Sequence, residues 1–154
     1  QMRSAEPHQV LKRKGASTEL VREHAEVTTF VSHQWCGFLH PDPDFVQLRT
    51  LQGMFHRAAR GTLHLDTDIV SMVAFQEKVT ERIEKLCACR YMWLDYFCVP
   101  QPSAEVVDSD AYHAAVDDLQ KAVGSLPFYI ETCAVFLVLA PVVRHEDGSM
   151  NDYR

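Results

Sequence analysis

The sequence predicts an α/β protein built on a parallel β-sheet with helices on both faces. Three observations predict it. Short apolar, β-branched runs occur at residues 26–35, 91–97 and 134–142. The segments between them carry the three-and-four spacing of amphipathic helices. The last run, AVFLVLAPV, shows no polar alternation, which is how a strand covered on both faces reads. Strands separated by helices of this length imply right-handed crossovers and a parallel sheet, with strand one expected at its centre.

Residues 1–25 read as a tail or arm, with Pro7, Gly15 and no sustained period, and 26–154 as the α/β domain. EVTTFVSHQW (26–35) is a β-branched run that closes on polar residues, as a strand does when it delivers side chains to a site. HPDPDFVQLRTLQGMFHRAA (40–59) opens on prolines and aspartates, with Asp42 or Asp44 as helix cap, and then spaces Phe45, Leu48, Leu51, Met54 and Phe55 along one helix face. DIVSMVAFQEKVTERIEKLCA (68–88) repeats the pattern. YMWLDYFCVPQ (91–101) reads as the second strand with Asp95 in its middle, stopped by Pro100, which has no N–H to give a ladder. Residues 111–133 are helical with a break at Gly124 or Pro127, 134–142 form the third strand, and the chain ends in a loop.

Composition narrows the function. The chain has 154 residues, 47% hydrophobic and 23% charged, the make-up of one globular domain. A net charge of −6, with no dense basic run beyond Lys12-Arg13-Lys14, argues against nucleic acid as a partner. The five cysteines are an odd number and do not punctuate loops as a disulfide framework would, so a reducing intracellular compartment is expected. No apolar run approaches the roughly 20 residues of a membrane span. Cys87-Ala88-Cys89 reads as a C-x-C with both thiols on one strand face, short of the C-x2–4-C pairs of zinc sites, so no metal is expected.

In an open parallel sheet, ligands sit beyond the carboxyl ends of the strands. Those ends are polar here. His33 and Trp35 follow strand one, while Asp95, Cys98 and Gln101 follow or close strand two. His33 and Asp95 are expected to approach each other there. Asp95 has a plain structural reading as an acceptor of backbone N–H groups at the next turn, and a functional one as the group orienting His33 or a ligand hydroxyl. Trp35 could stack on a flat ligand or simply pack. His33, Cys36 and an aspartate are the residue types of a thiol nucleophile, but no local signature of such an enzyme surrounds Cys36 or Cys98.

TTFVSHQW, YMWLDYFCVPQ and AVGSLPFYIETCAVFLVLAPVV, in this order, resemble the signature blocks of the Toll/interleukin-1 receptor (TIR) superfamily, in the divergent form shared with fungal heterokaryon-incompatibility (HET) domains. The HET-like block is matched by Trp93, Asp95, Cys98, Pro100 and Gln101, and the resemblance spans residues 27–153. It implies a three-layer, flavodoxin-like fold and a self-associating signalling module, in some members an NAD-cleaving enzyme. The glutamate of those hydrolases would fall beyond Arg154, so the resemblance implies a C-terminally incomplete domain. The expected function is a non-catalytic interaction module without a cofactor, using protein partners or self-association. The segment with Pro102, Ser103, Ala104 and Glu105 stands in the place of the TIR interaction loop. The alternatives are an NAD- or nucleotide-processing hydrolase and a structural subunit of a larger assembly.

Overall fold

The computed structural model of the chain describes residues 8–18, 22–66, 78–99 and 110–151. Its elements run α1 (His8–Arg13), α2 (Arg22–Ala25), β1 (Thr28–His33), α3 (Val46–Ala59), α4 (Val79–Ala88), β2 (Tyr91–Leu94), α5 (Asp95–Cys98), α6 (Asp110–Gly124), α7 (Leu126–Thr132), β3 (Val135–Leu139), β4 (Val143–Arg144) and β5 (Met150–Asn151). The fold is α/β. A three-stranded parallel sheet has the order β2-β1-β3, so strand one is central as expected. The helix expected over 68–88 is described from Val79 onward, and its first part lies outside the described residues. The chain divides into two compact units, Gln1–Ser32 with Tyr91–Phe136, and His33–Arg90 with Leu137–Arg154.

In the first unit, β1 and β2 run in parallel register, with Thr28 beside Tyr91, Phe30 beside Trp93 and Val31 beside Leu94. The register brings aromatic rings into a row on one sheet face. Phe30 stacks on Trp93 with centroids 4.4 Å apart and planes 8° from parallel, and on Phe136 of β3 at 5.6 Å. Phe30, Trp93 and Val99 form a buried cluster, and Leu119 and Ala122 of α6 with Leu126, Tyr129 and Cys133 from α7 and its end close over it. The helix break falls at Ser125, with Pro127 in the first turn of α7, where its missing N–H has no intrahelical partner to lose.

Two expectations for the strands are corrected. β2 ends at Leu94, and the stretch read as its continuation is the helical turn α5. In an extended strand Tyr96 and Phe97 would point to opposite faces. The turn buries both, and Asp95 starts it by accepting the Tyr96 N–H at Oδ1 (2.6 Å) and the Val99 N–H at its main-chain oxygen (2.7 Å). β3, expected to be covered on both faces, alternates: Leu139 is buried, whereas Phe136 and Val138 are 50% and 61% exposed.

The second unit is organised by the loop after β1. α3 starts as the proline-aspartate segment predicts, and Asp42 is its cap. The residue just before the helix, Phe45, makes no side-chain cap bond, while the buried Asp42 carboxylate accepts the N–H groups of Gln47 (3.1 Å) and Leu48 (2.7 Å). Gln47 is buried too, and its Nε2 donates to the carbonyl of Gln34 (2.7 Å) and contacts the Cys36 sulfur (3.1 Å). α3 packs on α4. Cys87 lies in the last turn of α4 and Cys89 caps it, which corrects the reading of both thiols as residues of one strand. The expected C-terminal loop is a small antiparallel hairpin, with Val143 paired with Asn151 and Arg144 with Met150, turning through Gly148 at φ 91, a conformation that L side chains rarely adopt.

Asp42→Ala is expected to lower stability by about 1–3 kcal/mol, since two backbone donors at a buried helix start lose their acceptor. Asp42→Asn keeps one acceptor oxygen and should recover part of the loss. Urea denaturation of both variants checks this, and an Asp42→Ala midpoint equal to wild type would show that solvent replaces the cap at no cost.

Candidate functional site

The first unit contains a cavity of about 480 Å³ where β2 gives way to α5. β2 delivers Trp93 to the sheet face that α6 and α7 cover, and Tyr129 of α7 meets its ring with centroids 5.5 Å apart. These two aromatics and Cys98 of α5 make one side of the cavity. The N-terminal segment completes the lining: His8 and Lys12 on α1, then Ser17 and Thr18 in the loop that follows.

α1 is held by two means. Leu11 is buried, and Nδ1 of His8 lies 2.9 Å from the Phe97 carbonyl oxygen, tying α1 to α5. A carbonyl only accepts, so Nδ1 carries the proton of this bond. Nε2 is then the acceptor of the neutral ring and a second donor of the protonated one. The segment 8–18 bears Lys12, Arg13 and Lys14 and no carboxylate, a local positive charge in a chain of net charge −6.

Cys98 is a neutral wall of this cavity. Burial pushes its thiol from an ordinary 9.0 up to about 11, the Leu94 backbone hydrogen bond opposes this, and the negative charges of Asp95 and Cys133 add to it. Such a sulfur is not an activated nucleophile. Asp95 does what the structural reading of that residue expects, since its carboxylate accepts a backbone N–H at the next turn. Burial also raises the Tyr96 phenol.

The other candidates stand elsewhere. His33 is the last residue of β1, and Trp35 is half-buried in the loop after it. Both belong to the second unit and neither lines the cavity. Cys36 is buried beneath Gln47. Gln101 and the proposed interaction loop, Pro102, Ser103, Ala104 and Glu105, lie outside the described residues. Among the described residues no three or more His, Cys, Asp and Glu side chains are grouped to hold a metal ion, and no helix is long and apolar enough to cross a membrane.

Sequence reasoning took His8, Lys12, Ser17 and Thr18 for part of a tail. A six-residue helix has under two turns, too few to show a period, and the only signals were Leu11 among polar neighbours and the basic run beside it. Comparison with protein-family models, curated proteins and solved structures gives no match.

Proposed function

We propose that the chain is a protein-interaction module of the TIR/HET-like type, working by self-association through the edge of β3. The observation that carries this reading is β3 itself. Among the described residues it is an outer strand of the sheet, and it exposes Phe136 and Val138. Outer strands of monomers are usually guarded by charge, particularly lysine, or by bulges. No charged residue occurs from Cys133 to Val143.

The partner that suits this edge is a second copy of the chain. Two β3 strands side by side about a two-fold axis bring no like charges together, satisfy each other's open backbone groups and cover the exposed Phe136. They would join two three-stranded sheets into one. The three sequence blocks that resemble TIR and HET domains support the type of module, and in this reading the chain acts by binding.

Val138→Lys tests it, because Val138 is well exposed and lysine is the usual guard of an edge. Sedimentation velocity over a concentration series should show dimerisation of the wild type and at least a tenfold weaker dimer for the variant, with the two thermal transitions equivalent within about 0.5 kcal/mol. A wild type that stays monomeric, or a variant that dimerises equally well, removes β3 as the interface. A second variant changed at Pro102, Ser103, Ala104 and Glu105 is the comparator. Loss of association there alone would move the contact to that loop.

A further inference from the structure

We propose that the cavity of the first unit is a binding site for a planar aromatic anion, a fused-ring compound bearing one phosphate or carboxylate group. The inference is independent of the β3 interface. It starts from the two kinds of chemistry that line the cavity. On one side, the partly buried Tyr129 offers a ring for stacking, and Trp93, whose ring is packed between Phe30 and Tyr129, adds an aromatic edge. On the other, Lys12 supplies a cation, and Ser17 and Thr18 supply hydroxyl donors.

Lys12 is exposed, and among the described residues no acidic side chain pairs with it. Among the described residues no carboxylate lines the cavity to repel an anion, and the thiol that does, Cys98, stays protonated at neutral pH. Arg13 and Lys14 add to the positive field of the same segment. A volume of about 480 Å³ is within the usual size of small-molecule sites, and it exceeds what an inorganic anion would fill. The ring must therefore contribute to binding as well as the charge. Phosphate and carboxylate share the anionic oxygen that the Lys12 side would hold, and a phosphate in its monoanion form could also donate to Nε2 of His8.

Isothermal titration of the full chain with 1-naphthyl phosphate, 1-naphthoate, 1-naphthol and inorganic phosphate tests this. One or both naphthyl anions should bind in the sub-millimolar range and at least about tenfold more tightly than 1-naphthol or inorganic phosphate. The tighter anion identifies the preferred group. Lys12→Gln, at an exposed site where the fold should persist by circular dichroism, should weaken that anion about tenfold and leave 1-naphthol unaffected. In a Trp35→Phe background Trp93 is the sole tryptophan, and its emission should quench as the anion is added. Inorganic phosphate binding as tightly as 1-naphthyl phosphate would overturn the aromatic half of the proposal. Equal affinities for 1-naphthol and the anions, or no effect of Lys12→Gln, would overturn the anionic half. No binding of either anion, or binding without a change in Trp93 emission, would overturn the site.

Discussion

Replacing Gly37 with alanine is expected to cost about 2–4 kcal/mol of stability, because the added methyl has nowhere to go. A Cβ there would sit 2.7 Å from the His40 carbonyl oxygen, 2.7 Å from Cγ of Pro43 and 2.9 Å from Oε2 of Glu146. Two of these atoms belong to a peptide group and a proline ring, which cannot rotate aside. The surrounding chain is also pinned on both sides of the glycine. The Cys36 N–H donates to the Pro41 carbonyl (2.8 Å), the Glu146 N–H to the Cys36 carbonyl (2.8 Å), and the Phe38 N–H to the Glu146 carboxylate (2.7 Å). Relief of the clash must break at least one of these bonds. The urea midpoint measures the loss. A Gly37→Ala midpoint equal to wild type would show that the loop after β1 yields freely, contrary to its bonding.

Raising the pH from 9 to 11 is expected to destabilise the wild type by about 2 kcal/mol more than a Cys98→Ala variant. Well below pH 9 the thiol is neutral in both folded and unfolded chains, so ionisation makes no difference. Above its ordinary value of 9.0 the unfolded chain releases the proton, whereas burial withholds it in the folded chain until about 11. The unfolded state then binds fewer protons than the folded one, and stability falls as pH rises through that interval. Tyr96, also raised by burial, titrates above 10.0 in both proteins, so the difference between them isolates Cys98. Denaturation curves across pH 8–11 give the result, and parallel pH profiles would refute the buried-thiol assignment. Alkylation offers a second readout. At pH 8 about one Cys98 in a thousand is a thiolate, so iodoacetamide should label the exposed Cys87 long before Cys98.

Features set by neighbours along the chain were legible in advance. A cap from Asp42 or Asp44 (found at Asp42), the amphipathic span of α3, a break at Gly124 or Pro127 (found between them at Ser125) and the parallel pairing of the first two strands all follow from local spacing, turn chemistry and crossover rules. The apolar run at 134–142 was equally legible as a strand, but its exposure was not. An unbroken apolar run says only that a strand is compatible with burial, and whether both faces are covered depends on which other elements reach it.

The sequence by itself determined the α/β class and the succession of the three sheet strands with helices between them, because periodicity and turn chemistry act over short stretches of chain. Only the tertiary structure decided that β2 stops at Leu94, since burying Tyr96 and Phe97 together favours a helical turn over two opposite sheet faces. It alone decided that α1 is folded onto α5 through Leu11 and His8. The cavity is the clearest case. Lys12, Trp93 and Tyr129 are far apart in the chain, and no local pattern encodes their meeting. Burial of α1 and the stacking of rings across β1 and β2 bring them together, and both depend on long-range packing that a single sequence does not display.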